Sequence, residues 1–261
     1  MNRDPFIPIL TYHGLSRGKG ASGNGVYTLD EDRFQAQMTY LAGHRFHVLS
    51  LEEMLTPLSG KPIHRKSVVL TFDDGSESDF SIAVPILKRH HFPAAFFVNP
   101  GTLDQKGTLT AEDLKKMRRE GMEIGSHGFD HLFLTRLDEK NLRHQIVGSK
   151  ARLEALLGSP VPLFSIPRGR YNRKVLDMAR QGGYRAVCTS DIGFNRLGSD
   201  PFCLRRWAMK RSYTLGDFIS IVEGKPGGRL SVDYLLKQSA YRVLGHALYE
   251  RIRTGVLREG T

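Results

Sequence analysis

Ser67-Val68-Val69-Leu70-Thr71-Phe72-Asp73-Asp74-Gly75 is an apolar run that stops on two adjacent carboxylates and a glycine. The run is rich in β-branched residues and has the length of a buried strand. Gly75 turns the chain where the strand ends. Two acids at the end of such a strand are poor core residues; a plain surface turn is the competing reading. Further on, Met122-Glu123-Ile124 reads as another strand, followed by His127-Gly128-Phe129-Asp130-His131. Two imidazoles and a carboxylate are a common ligand set for a catalytic divalent ion with one position open to water. A histidine pair at this spacing is weak alone, and Gly128 stands where the zincin pattern needs Glu. Joined to the Asp pair, it points to metal-assisted hydrolysis, with the spare carboxylate as candidate general base.

Working outward, strand and helix alternate. Strand-like runs fall at 6–12, 48–49, 94–98, 163–166, 185–189 and 203–209, with helical patterns near 82–90, 138–157, 173–180 and 215–222. Thr28-Leu29-Asp30-Glu31, Ser50-Leu51-Glu52-Glu53 and Thr110-Ala111-Glu112-Asp113 have the spacing of capping boxes. After the first, Phe34, Met38 and Leu41 recur at helical intervals. About seven strand–helix repeats predict an α/β fold whose mostly parallel sheet closes into a barrel, with the reactive residues at strand C-terminal ends.

The 261 residues suffice for one such barrel, and the net charge is +11. That charge invites an anionic partner: an acidic glycan or an anionic membrane surface. Nucleic acid is not expected, because the basic residues are dispersed and no RNA-binding aromatic signature or zinc-finger spacing occurs. Cys188 and Cys203 are too few for a disulfide framework. With no apolar run near the ~20 residues of a membrane span, and only a short, proline-broken apolar stretch at 6–10, the cytoplasm is the expected location. Lys225-Pro226-Gly227-Gly228-Arg229 reads as a linker, dividing a barrel domain, 1–224, from a C-terminal extension, 225–261. The extension has seven Lys/Arg, three Asp/Glu and helically spaced apolar residues. It is expected to be a basic helix that packs on the barrel, with an oligomer contact or a peripheral contact with anionic lipid at the inner membrane face as the alternatives.

The two opening motifs, together with Phe164-Ser165-Ile166-Pro167-Arg168-Gly169-Arg170-Tyr171-Asn172, resemble three ordered motifs of the polysaccharide deacetylase family, the NodB homology domain of carbohydrate esterase family 4. Pro8-Ile9-Leu10-Thr11-Tyr12-His13 resembles the start of the branch that holds bacterial poly-N-acetylglucosamine deacetylases. The resemblance implies a distorted (β/α)7 barrel and a hydrolase that removes acetyl groups from an N-acetylated glycan. It implies Asp74, His127 and His131 as ligands of one divalent metal, zinc being the common one. Asp73 matches the general base, and Arg168 the position whose backbone N–H serves the oxyanion. The chain also departs from the family. Ser165 replaces the Arg that orients the base, and the late Leu-x-His motif with its acid His has no counterpart. Arg205 or Arg206 is a candidate to reach back to Asp73, against the competing reading of a solvated surface pair. His13 is a candidate to replace the acid. The alternatives are a catalytically impaired carbohydrate-binding barrel, or a deacylase of a non-sugar amide or ester.

Overall fold

The computed structural model describes residues 5–18, 25–58, 66–227 and 230. The chain divides into Met1–Gly224 and Lys225–Thr261. Apart from residues 225–227 and 230, the helix expected over 225–261 lies outside the described residues. Among the described residues no helix is long and apolar enough to cross a membrane.

The strands are β1 (Ile9–Tyr12), β2 (Leu15–Ser16), β3 (Leu29–Asp30), β4 (His47–Leu49), β5 (Ser67–Phe72), β6 (Ala95–Val98), β7 (Glu123–Ser126), β8 (Leu163–Ser165), β9 (Ala186–Cys188) and β10 (Trp207–Ala208). The helices are α1 (Glu31–Gly43), α2 (Leu51–Leu58), α3 (Val84–Arg89), α4 (Ala111–Arg119), α5 (Glu139–Arg143), α6 (Ser149–Leu157), α7 (Arg173–Gln181) and α8 (Leu215–Val222). All the pairings of the main sheet are parallel, in the order β10-β1-β5-β6-β7-β8-β9. The apolar run of β5 pairs with β1 along one edge; β4 takes the first half of its other edge and β6 the second. Leu204 bridges Cys188 of β9, and three residues later Trp207 pairs with Leu10 of β1. One extended segment thus joins the two ends of the sheet path and curls it into a distorted barrel, the expected fold class.

Pleating alternates side chains between faces, and that alternation sorts the interior. Ile9, Val69, Ala95, Phe97, Leu163, Ala186, Cys188 and Leu204 form one buried cluster, closed at the strand N-terminal end by Leu51 and Met54 of α2. Residues of opposite parity, Phe164 and Val187, pack outward on α5 and α7 through Leu142, Val175, Met178 and Ala179. The inward series continues upward as Thr11, Thr71, Asp73, Asn99, His127 and Ser165, all buried. The barrel is therefore apolar at its base and polar where its parallel strands end, which is where such folds place reactive groups.

Helices α2, α4 and α8 start at capping boxes. Thr110 and Thr214 form complete capping boxes with Asp113 and Asp217. At the box of Ser50, Glu53 accepts from the Ser50 N–H and Ser50 Oγ from the Glu53 N–H. Buried Glu123 adds a second cap there, accepting from the N–H groups of Leu51 (2.7 Å) and Glu52 (2.9 Å). The box at Thr28 does not form: Leu29 and Asp30 pair with Leu15 and Ser16, so Asp30 becomes the N-cap and offers no side-chain bond. Sheet pairing here overrides the local signal. The helix expected over 138–157 runs on through a π-turn at His144–Gly148 and ends at Gly158, whose φ of 62° caps it. The strand expected at 203–209 contracts to Trp207–Ala208.

A second π-turn, Asp79–Ala83, precedes α3. It holds Asp79 at 0 % exposure with neither carboxylate oxygen in a hydrogen bond of good geometry. Burial, with Asp74 adding to it, raises this carboxyl well above its ordinary range. The folded protein thus keeps a proton that the unfolded chain releases above about pH 4, and stability falls as pH rises from there toward the folded value. Asp79→Asn removes that term. The variant should be more stable than wild type at neutral pH by about 1–3 kcal/mol, and no more stable below about pH 4, read from urea midpoints.

Candidate active site

Asp73 and Asp74 leave β5 on opposite sides. Asp73 continues the inward series and is 3 % exposed. Asp74 takes a left-handed φ of 77° and turns its side chain toward the mouth of the barrel, 45 % exposed. His127 follows β7 with inward parity, above Gly125. That glycine is required: a Cβ there would lie 2.5 Å from Cδ1 of Phe97, whose ring covers it. The loop to His131 turns at Gly128, where φ is 75° and a Cβ would meet Pro167 at 2.9 Å. Gln145, presented by the π-turn, pins this loop. Its Oε1 accepts from the N–H groups of Phe129 and Asp130, and its Nε2 donates to Asp130.

The loops bring Asp74, His127 and His131 together, one ligand atom of each within 4.8 Å of the others. Asp74 Oδ1 lies 3.4 Å from His127 Nε2 and 3.3 Å from His131 Nε2. Donors about 2.0–2.2 Å from a tetrahedral zinc are roughly 3.3–3.5 Å apart, so the spacing fits a divalent ion. The His127 Nδ1–H donates to the Ser165 carbonyl at 2.8 Å, which leaves Nε2 with its lone pair facing the cluster. The Asn99 side chain holds the same loop by donating to the His127 carbonyl.

Arg206 fills the place left by Ser165. Its Nη1 and Nη2 donate to the two oxygens of Asp73, each at 2.8 Å, in a bidentate clamp. Nη2 also donates to Ser165 Oγ at 2.9 Å, and that hydroxyl donates to Asp73 at 3.2 Å. Burial alone would raise the Asp73 carboxyl; the guanidinium overrides it and holds the acid well below the usual carboxylate range. Of the two candidate arginines only Arg206 does this. Arg205 is exposed and lays its side chain against Gly193.

His13 lies one residue beyond Tyr12, which pairs with Phe72, so it emerges beside Asp73. Its Nδ1 is buried without a hydrogen-bond partner, and its ring stacks on Tyr27, centroids 4.8 Å apart. Burial lowers its pKa, against the pull of Asp73 and Asp74. Arg168 has a left-handed φ of 57° and donates from Nε to the His131 carbonyl at 3.4 Å. Asn99, Gln145 and Tyr27 were missed in the sequence. Strand parity upward from Phe97 would have pointed to Asn99; the other two carry no local signal.

The profile of the family described as polysaccharide deacetylase matches residues 60–187. The Bacillus subtilis protein YxkH, a polysaccharide deacetylase by name, is 30% identical over 201 residues, 77% of this chain and 70% of YxkH. A peptidoglycan-N-acetylglucosamine deacetylase of Bacillus cereus is 30% identical over 129 residues, 49% of this chain and 59% of that protein. A poly-beta-1,6-N-acetyl-D-glucosamine N-deacetylase of Staphylococcus aureus is 27% identical over 133 residues, 49% of this chain and 45% of that one. The chain thus spans about half the length of these last two relatives. Among solved structures, the Streptococcus pyogenes deacetylase PplD in complex with acetate superposes with a TM-score of 0.78 at 25% identity, covering 85% of this chain and all of that one. With YxkH matched over more than two thirds of both chains, the chain belongs to the polysaccharide deacetylase family.

Proposed function

We infer that this protein is a metal-dependent hydrolase that removes acetyl groups from an N-acetylated glycan. The observation that carries the reading is a carboxylate kept ionised by Arg206, 4.0 Å from His127 Nε2, beside a three-residue metal-ligand set. Asp74, His127 and His131 would hold one divalent ion, zinc by donor preference. When bound, such an ion acidifies water and polarises the acetyl carbonyl. Asp73 takes the proton of the attacking water. The Arg168 backbone N–H is assigned to the developing oxyanion. His13 is assigned to protonate the leaving sugar amine. The impaired-barrel alternative rested on the missing orienting arginine and the missing late histidine; Arg206 removes the first motive, and the His13 variant below tests the second. The basic segment 225–261 is proposed to hold the enzyme at anionic lipid from the cytoplasmic side, which co-sedimentation with anionic vesicles measures. Acetate release from a panel of N-acetylated oligosaccharides, with N-acetylated peptides and acetyl esters as controls, tests the activity and separates it from non-sugar deacylation.

Four variants probe the site. His127→Ala should lower metal affinity by about 10-fold or more, measured as metal content after dialysis; equal occupancy would remove His127 from the ligand set. Asp73→Asn should keep the metal and lose about 10²-fold or more in kcat. Arg206→Met leaves the buried carboxylate without its counter-charge, so Asp73 ionises only at higher pH. The acid limb of kcat/KM should then move up by about one unit or more. His13 gives the opposite sign. As donor it acts in its protonated form, so activity falls as pH rises through its lowered pKa. That alkaline limb should disappear in His13→Gln while metal is retained; an unchanged profile would assign the proton return to Asp73.

A further inference from the structure

Between His127 and His131 every backbone N–H is held by a side chain. The Gly128 N–H donates to Ser126 Oγ at 3.3 Å, and those of Phe129 and Asp130 both donate to Gln145 Oε1 at 2.9 Å. Gln145 Nε2 donates in turn to Asp130 Oδ2 at 2.8 Å. The carbonyls are held as well: those of His127 and Gly128 accept from the Asn99 amide, and that of Phe129 from the Gly101 N–H. Gln145 is buried, and its amide is committed on both ends to this loop.

The π-turn at His144–Gly148 is what aims it there. Its one extra residue rotates the helix before it by about 100° relative to the helix after it. Three elements hold the turn in that form. The Ile146 carbonyl accepts from Tyr184 OH at 2.9 Å and from Ser149 Oγ at 3.0 Å. Ser149 Oγ also meets Ser126 Oγ of β7 at 2.7 Å. His144, from the same turn, packs its ring on Phe129 with centroids 4.3 Å apart.

The two imidazoles differ in how much they need this support. The His127 ring is buried and anchored through Nδ1 on the Ser165 carbonyl. The His131 side chain is 31 % exposed and stands on left-handed backbone, φ 56°. A loop that must be ordered when an ion binds loses affinity to conformational entropy, and one already ordered does not.

We propose that Gln145, delivered by the π-turn, is a positioning residue that sets the affinity of the site for its ion by holding the His131 loop, without serving as a ligand. This rests on the ligand set Asp74, His127 and His131 assigned above and adds to it the element that keeps the set assembled.

The test uses the full chain with zinc(II) as the probe, its affinity read by competition with a chromophoric chelator. Gln145→Met keeps the side chain's length and removes its bonds. It should weaken zinc binding by about 10-fold or more. Gln145→Glu/Asp130→Asn exchanges donor and acceptor, so the new carboxylate can accept from both backbone N–H groups and from the new amide. Both variants keep the wild-type net charge, so the long-range attraction for a cation is unaltered. The exchange variant should bind zinc within about 3-fold of wild type. In the metal-free protein, amide hydrogen exchange across 127–131 should speed up in Gln145→Met and return to the wild-type rate in the exchange variant. Wild-type zinc affinity in Gln145→Met, or an exchange variant as weak as Gln145→Met, overturns the proposal. If Gln145→Met does not fold, Gln145→Asn, whose amide falls one methylene short of the loop, replaces it under the same criteria. If His127→Ala weakens zinc binding and Gln145→Met does not, the ligand set stands and the positioning role fails. If Gln145→Met loses affinity that the exchange variant recovers, yet wild type releases no acetate from any N-acetylated oligosaccharide, the positioning role stands and the deacetylase reading fails.

Discussion

The ion pair between Asp73 and Arg206 organises the reactive end of this barrel. Both side chains are 3 % exposed, so neither charge is compensated by water. A guanidinium has five N–H donors, and all are used. Nε donates to the Thr189 carbonyl, Nη1 to Asp73 and Thr71, and Nη2 to Asp73 and Ser165. Burying two charges costs several kcal/mol each, and a pair in this setting is weak evidence of net stability. What it fixes is geometry. The five acceptors lie on β5, on β8 and in the segments just beyond β5 and β9, and Arg206 itself enters β10. One side chain therefore ties together strand ends that lie far apart along the sheet path, and the carboxylate it grips cannot rotate without stranding a buried cation.

The shape of the interior makes room for this pair. Gly125 lets the Phe97 ring lie across the barrel, and the Arg206 guanidinium rests above that ring, 5.8 Å from its centroid. Below the ring the interior is largely aliphatic; above it lie Thr11, Thr71, Asp73, Asn99, His127 and Ser165. The change happens within one pleat on each strand, so the apolar base supplies stability while the upper layer carries hydrogen-bonded groups. Three non-glycine residues at the rim, Asp74, His131 and Arg168, adopt left-handed backbone. Strained positions of this kind persist where surrounding contacts over-determine them. Here Gln145, Asn99 and the bond from Arg168 to His131 do so.

Legibility in the sequence followed locality. The β5 run with its Asp pair and the spaced histidines are contiguous in the chain, and their residue types already carry the chemistry. Capping boxes at Ser50 and Thr110 are likewise local, and they form. At Thr28 the same signal fails because β3 pairs with β2, an interaction no four-residue window contains. Arg206 lies 133 residues from Asp73; it could be named as one of two candidates, but only barrel closure decides between it and Arg205. Gln145 is harder still. It sits in what reads as an ordinary helix, and only the π-turn rotates its amide onto the loop between the histidines.

Adjacent identical residues acquire different capacities here, and the pleat is the reason. Asp73 points inward, where both its oxygens accept from Arg206 and one also accepts from Ser165. Those three bonds fix the carboxylate's orientation and keep it charged, and of its roughly four lone-pair sites they leave one to accept a proton. Asp74, one residue on and turned out by its left-handed backbone, shares one oxygen's neighbourhood with two imidazoles. A carboxylate that is clamped and ionised beside the ligand set, but not directed into it, is suited to take a proton. A carboxylate beside two free imidazole nitrogens is suited to bind the ion. Exchanging the two side chains' surroundings would exchange their chemistry. The division of labour in this site therefore lies in strand register and in one distant arginine, and not in the identity of either aspartate.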